Sequence, residues 1–158
     1  MEEKYIVSIK GMQSYDDDDS NTDVKLTTEA DFVKQDGVYF IDYEESEITG
    51  FGKTETSIEV GDNYVSLQRS GAVNTQMLFM KDRKTSTLYS TPYGDMTIGI
   101  LTDKMDVDIS DNGGTINVDY YLDINNSTKS KNNFEIEIRR QKAWKTLLQK
   151  QNFRYRKL

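Results

Sequence analysis

The clearest candidate for a functional side chain is an arginine that alternates in phase with apolar residues of a predicted strand. Arg69 follows Val65 and Leu67 at two-residue spacing, and the positions between them are polar. Because alternate residues of a strand point to opposite faces, Arg69 is predicted to point inward with Val65 and Leu67. A buried guanidinium needs a carboxylate partner or an anionic ligand. Glu44, in phase with the apolar residues Val38 and Phe40, is the available internal carboxylate.

Two interpretations of this arginine follow. As a functional group, Arg69 would clamp an anion at the mouth of a cavity, with an aromatic wall for flat or apolar ligands. As a structural group, it would pair with Glu44 or extend its charged end to the solvent at the rim, and the tyrosines would only fill space. The structural interpretation is the commoner one. The candidate contacts are Arg69, Glu44, Tyr39, Tyr43, Tyr89 and Tyr93.

Other kinds of catalytic or metal site find little support. The chain has no cysteine and no histidine, which excludes thiolate nucleophiles, disulfides, Ser-His-Asp triads and imidazole metal sites. The acidic run Asp16–Asp19 has Asn21 and Thr27 where a calcium loop of the EF-hand kind needs Gly and Glu. Asp106 and Asp108 are predicted to lie on the solvent face of a strand. We expect no metal, no cofactor and no enzymatic activity.

The charge distribution divides the chain. Its 158 residues carry a net charge of -7, but residues 139–158 contain eight basic residues and no acidic one. Trp144, Leu147 and Leu148 in that stretch recur at helical spacing. Such a segment would contact RNA or a ribonucleoprotein partner, an anionic membrane surface, or the acidic body of its own chain. We favour the last of these.

Alternation of apolar and polar residues predicts strands through the rest of the chain. Segment 115–124, for example, sets Ile116, Val118 and Tyr120 against Asn117 and Asp119. Turn residues separate such segments at the spacing of hairpins. The predicted strands are 4–13, 23–34, 38–45, 53–60, 63–70, 75–82, 85–91, 96–104, 105–110 with 115–124, and 133–139.

Consecutive hairpins without a helical crossover predict an all-β fold, an antiparallel up-and-down barrel of about eight to ten strands. A two-sheet sandwich is the alternative. The predicted domains are a barrel over residues 1–139 and a basic carboxy-terminal extension over residues 140–158, with the spacing of a short helix. The acidic amino terminus, Met1–Lys4, is unlike a signal peptide, and no segment is long and apolar enough to span a membrane. A cytoplasmic location is predicted.

Particular runs of residues carry a family resemblance. Gly37-Val38-Tyr39-Phe40-Ile41-Asp42-Tyr43-Glu44-Glu45, Arg69-Ser70-Gly71, Met77-Leu78-Phe79 and Tyr89-Ser90-Thr91-Pro92-Tyr93-Gly94 occur in this order. Over roughly residues 4–138 the chain resembles the YwiB-like family of small bacterial proteins. The resemblance implies a calycin, or lipocalin-like, β-barrel and a cytoplasmic protein, but no reaction. Residues 140–158 extend beyond the family pattern.

These observations lead to two functional hypotheses. The first is a non-enzymatic cytoplasmic barrel that binds a small anionic or aromatic ligand at its mouth. The alternative is an interaction module that contacts RNA or a translation partner through the basic tail.

Overall fold

A computed structural model describes residues 4–15, 21–45, 53–71, 74–91 and 93–140. The acidic run Asp16–Asp19 and the basic segment 141–158 lie outside these residues. Within the described ranges the chain forms strands and turns and contains no helix. The ten strands are β1 (Tyr5–Tyr15), β2 (Asn21–Gln35), β3 (Val38–Glu45), β4 (Thr54–Val60), β5 (Tyr64–Gly71), β6 (Thr75–Met80), β7 (Lys84–Thr91), β8 (Gly94–Ser110), β9 (Gly113–Ile124) and β10 (Thr128–Arg140).

All strand pairs are antiparallel, and nearly all join neighbours in the sequence. The spatial order is β6-β5-β4-β3-β2-β1-β10-β9-β8-β7, so the pairing of β1 with β10 joins the two ends of the meander. Between β6 and β7 the described residues form no ladder. At this seam the Thr85 hydroxyl donates to the Leu78 carbonyl at 2.6 Å, and a turn joins the two strands. The predicted up-and-down barrel is confirmed, nearly closed, and the sandwich alternative is not adopted.

Strand β8 is longer than the sequence predicts. The sequence predicts separate strands over 96–104 and 105–110, but both segments belong to β8. The register against β9 shifts between Thr102 and Lys104, so Asp103 is the extra residue of a β-bulge. The bulge reverses the alternation: Ile100 and Thr102 are buried before it, and Met105 packs against the core after it. In the sequence, this change in the phase of the apolar–polar alternation therefore resembles the end of one strand and the start of another.

The last strand also begins earlier than predicted, at Thr128 rather than residue 133. Asn125 and Asn126 both have positive φ, 51° and 63°, and with Ser127 they form a three-residue hairpin loop between β9 and β10. Asp36 and Gly37, with φ of 53° and 81°, form a tight two-residue hairpin between β2 and β3. Both pairs supply the left-handed conformations that short hairpin loops require.

The inward faces of the strands form one hydrophobic core. Alternate residues of each strand are buried, as the period of two demands. Val7, Ile41, Ile58, Val65, Phe79 and Val118 are completely or almost completely buried in this core. The same alternation places polar side chains inside the barrel towards one end, and those residues form the candidate site.

Candidate functional site

Arg69 lies near the end of β5, on the inward face with Val65 and Leu67. Its side chain is 18% exposed, and its Nε donates a hydrogen bond to Glu45 Oε1 at 3.2 Å. The Glu45 side chain is only 4% exposed. The two residues form a largely buried ion pair at the end of the barrel where β3 finishes and β4 begins.

The prediction that Glu44 lies inside the barrel is wrong, because Glu44 is exposed and Glu45 takes the inward position. On β3 the inward residues include Ile41 and Tyr43, so the phase is the opposite of the one assumed. Val38 and Phe40, which suggested the wrong phase, are only half-buried. The useful signal was Asp42, which shares its face with Glu44 and makes that face too acidic for an interior.

The charges of this ion pair influence the pKa values of two buried tyrosines. Burial raises the pKa of Tyr43 well above its ordinary value; the charge of Glu45 raises it further, and Arg69 opposes the change. Burial likewise raises the pKa of Tyr120 to about 12, against the opposing charge of Arg69. Since Tyr120 belongs to β9 and Arg69 to β5, this interaction links two separate walls of the barrel.

The polar residues of the site form two cross-strand rows. In the first row, Tyr43 of β3 is in register with Thr56 of β4, Thr56 with Arg69, and Arg69 with Thr75 of β6. In the second row, Thr102 of β8 is in register with Tyr120, which is in register with Asn132 of β10. Asn132 is buried and its amide donates to the carbonyl and hydroxyl oxygens of Ser130 at 3.2 and 3.1 Å.

Two hydroxyl groups in these rows have no hydrogen-bond partner among the described residues. They belong to Thr75 and Thr102. The equally buried hydroxyl of Thr56 interacts with the hydroxyl of Tyr43, whose pKa it lowers. An unsatisfied buried hydroxyl costs about 1–3 kcal/mol. A site with two such groups therefore has hydrogen-bonding capacity that the protein itself does not use.

The other predicted tyrosines do not all gather here. Tyr39 lies six residues from Glu45 along β3, a distance of about 20 Å at strand spacing. Its hydroxyl donates to Asp111 Oδ1 at 2.8 Å, at the opposite end of the barrel. Tyr93 is fully exposed in the turn after β7, whereas Tyr89 is half-buried on β7. Of the predicted contacts, the structure brings together Arg69 and Tyr43.

Sequence reasoning missed Glu45 and the polar residues Thr56, Thr75, Thr102 and Tyr120. Each was assigned to a strand, but threonine is common in strands for its shape alone, so its hydroxyl gave no signal. Tyr120 stood in phase with Ile116 and Val118, which is the pattern of ordinary core packing. Its ring does pack edge-on against Phe79, with centroids 4.8 Å apart.

Comparison with known proteins agrees with this architecture. Residues 7–136 match the family described as a domain of unknown function, DUF1934. The chain belongs to the DUF1934 family. It is 28% identical over 127 residues to the uncharacterized beta-barrel protein YwiB of Bacillus subtilis (strain 168), covering 79% of this chain and 87% of that protein. The predicted YwiB-like resemblance is thereby confirmed.

The fold of this DUF1934 chain is also similar to a solved structure. The crystal structure of the ywiB protein from Bacillus subtilis superposes with a TM-score of 0.70 at 18% identity. The match covers 87% of this chain and 92% of the other. It supports the barrel fold alone.

The described residues of this DUF1934 chain lack two other kinds of feature. No group of three or more carboxylates is arranged to hold a metal ion. No helix in the described part of the chain is long and apolar enough to cross a membrane.

Proposed function

We propose that this protein is a non-enzymatic binding protein that takes one small molecule at the polar end of its barrel. The observation that carries the proposal is the pair of unpartnered hydroxyls of Thr75 and Thr102, which are in register with Arg69 and Tyr120 respectively. A barrel interior evolved for packing alone would have valine at such positions, because valine has nearly the same shape without the cost of desolvating a hydroxyl.

The charge of the site favours one class of ligand. The sequence suggested an anionic or an aromatic ligand. Glu45 already neutralises Arg69, so an added anion would have to displace a buried carboxylate at a large cost in free energy. The tyrosine rings of Tyr43 and Tyr120 offer flat apolar surface beside hydrogen-bonding groups. We therefore propose an uncharged, ring-sized molecule with hydroxyl or amide groups.

The composition of the site supports binding rather than catalysis. The sequence has no histidine or cysteine, so the usual groups for proton transfer or nucleophilic attack near neutral pH are missing. The buried carboxylate, Glu45, is held by Arg69 at 3.2 Å. This pair can orient a ligand through hydrogen bonds without itself reacting.

Native mass spectrometry of the intact protein, purified gently from its own host, tests the proposal. We expect a small bound mass that is retained by an Arg83→Ala control, since Arg83 is exposed in the turn between β6 and β7. Arg69→Ala should lose that mass. Thr102→Val keeps the size of the side chain and should weaken retention while the barrel stays folded by circular dichroism.

Two results would overturn the proposal. One is the absence of any bound mass in the unchanged protein and in all variants, which would mean that ordered water, and not a ligand, pairs with the free hydroxyls. The other is a bound mass that Thr102→Val and Arg69→Ala retain as well as Arg83→Ala, which would place the ligand elsewhere. The predicted cytoplasmic location and the RNA-binding alternative for residues 140–158 remain predictions.

A further inference from the structure

The outer surface of the barrel has two shallow grooves of different charge. One, of about 490 Å³, crosses β2, β1, β10 and β9 and has Lys10 and Lys25 beside Glu135 and Glu137. The other, of about 790 Å³, crosses β2 to β5 and has one lysine, Lys4, against five carboxylates. The carboxylates are Glu29, Asp31, Asp42, Glu44 and Glu55. We call this second surface the acidic face.

The acidic face places like charges directly opposite each other. Asp31 is in register with Asp42, and Glu44 is in register with Glu55. Like charges at directly opposed positions destabilise a sheet. Among the described residues no ion pair neutralises these four groups. A positively charged occupant would remove this cost.

A second observation beside the acidic face also indicates an occupant. Ile6 alternates with Tyr5 and Val7, which point inward, so Ile6 belongs to the outer surface of β1. It is nevertheless only 2% exposed. Its cross-strand neighbours are Glu29 and Arg139, both polar and exposed. An apolar residue buried among polar neighbours on an outer surface requires an apolar cover.

We propose that the acidic face and Ile6 form the docking surface for the chain's own basic segment, residues 141–158. That segment has six basic residues and no acidic one, and Trp144, Leu147 and Leu148 can supply the apolar cover. The chain leaves the sheet at Arg140, which is paired with Tyr5. Strands lie about 4.8 Å apart, so β2 and β4 lie about 10 and 19 Å from this point. A few residues of extended chain cover those distances.

The sequence contains its own probe of this docking, because Trp144 is the only tryptophan and lies within the segment. We expect Trp144 in the intact protein to emit at shorter wavelength, and to be quenched less by acrylamide, than in a free peptide of residues 141–158. Paired changes Asp42→Lys and Glu44→Lys should move both readouts towards those of the peptide. Raising NaCl to about 1 M, where the screening length is about 3 Å, should act in the same direction.

The matched control changes two carboxylates at the same spacing on another strand. Asp106→Lys with Asp108→Lys alters exposed residues of β8, away from the acidic face, and should leave Trp144 unchanged. Circular dichroism establishes that both double variants fold. If the acidic-face variant does not fold, the salt titration of the unchanged protein gives the answer.

Three outcomes would overturn the proposal. Emission equal to that of the free peptide would mean that nothing covers Trp144. Equal shifts of Trp144 emission in both double variants, or an emission that does not depend on salt, would mean that Trp144 is not covered by the acidic face. Shielding of Trp144 only on addition of RNA to nuclease-treated protein, unaffected by the acidic-face changes, would favour the RNA-binding alternative.

Discussion

The two ends of the barrel interior use the same kinds of residue for different purposes. At one end, Tyr5, Phe32 and Tyr39 form a chain of aromatic contacts, with centroids 5.0 and 5.3 Å apart. The tyrosine hydroxyls there both reach Asp111, at its carbonyl and its side chain. At the other end, the buried hydroxyls of Thr75 and Thr102 find no partner among the described residues.

The difference shows why residue type alone does not identify a site. Tyr39 and Tyr43 stand four residues apart on β3, both half or fully buried, and both were candidate contacts. Tyr39 stacks on Phe32 and donates its hydroxyl to Asp111, so its polar group is already paired. Tyr43 belongs to the row that contains Arg69, the partner of Glu45, and the unpartnered hydroxyl of Thr75. Unused hydrogen-bonding capacity distinguishes the two ends better than the presence of aromatic rings.

The largest expected effect comes from breaking the ion pair at the polar end. Glu45→Ala leaves the guanidinium of Arg69 without its carboxylate, and loss of one partner of a buried pair costs about 3–5 kcal/mol. Because the Arg69 side chain is 18% exposed, we expect the lower part of that range. Urea unfolding followed by circular dichroism measures the change in the free energy of unfolding.

The exposed pair of Arg139 and Glu137 provides the control for this measurement. Its Nε–Oε1 distance of 3.2 Å equals that of the buried pair, but both side chains are about half-exposed. Glu137→Ala should cost less than about 1 kcal/mol, because solvent screens exposed pairs. Equal losses in the two variants would contradict the view that the polar end is a desolvated site.

The next effect concerns alkaline stability. The folded-state pKa of Tyr120 is about 12, and that of an unfolded tyrosine is about 10. Between these values the folded state binds more protons than the unfolded state, so the free energy of unfolding falls as the pH rises. Below pH 10 the contribution is fully present. Tyr120→Phe should therefore lose less stability above pH 10 than the unchanged protein does.

Urea unfolding at a series of pH values checks this prediction. Tyr93→Phe is the matched control, because it removes a phenol hydroxyl from a fully exposed ring outside the core. A Tyr120→Phe profile identical to those of Tyr93→Phe and the unchanged protein would mean that Tyr120 ionises like a solvent-exposed phenol. The polar end would then be open to water and no different from the surface.

Much of the fold follows from the period-two alternation, and the failures have local physical causes. The bulge at Asp103 and the hairpin at Asn125–Asn126 depend on backbone conformations that hydrophobic patterning does not register. Alternation in 63–70 is enough to put Arg69 on the face of Val65 and Leu67. The candidate site was harder, because Glu45, Thr56 and Thr102 become special only when distant strands bring them together.

A smaller effect, of opposite sign, should follow from removing an unused hydroxyl. Thr102→Val keeps the side-chain shape and removes a buried hydroxyl without a partner among the described residues, so the ligand-free protein should gain about 1 kcal/mol. Thr56 of β4 is equally buried, but its hydroxyl interacts with that of Tyr43. Thr56→Val should lose about 1 kcal/mol. If both changes destabilise the protein alike, the hydroxyl of Thr102 is satisfied after all.

The smallest effect is expected at the opposite end of the barrel. Tyr39→Phe removes the hydrogen bond to Asp111 but keeps the ring that stacks on Phe32. Because that hydrogen bond is exposed to solvent, water can replace it, and the free energy of unfolding should change little. The mass retained in native mass spectrometry should also be unchanged. A loss of bound mass as large as that from Arg69→Ala would mean that the two ends act as one site, and that the paired hydroxyl of Tyr39 contributes to binding as much as the unpaired ones do.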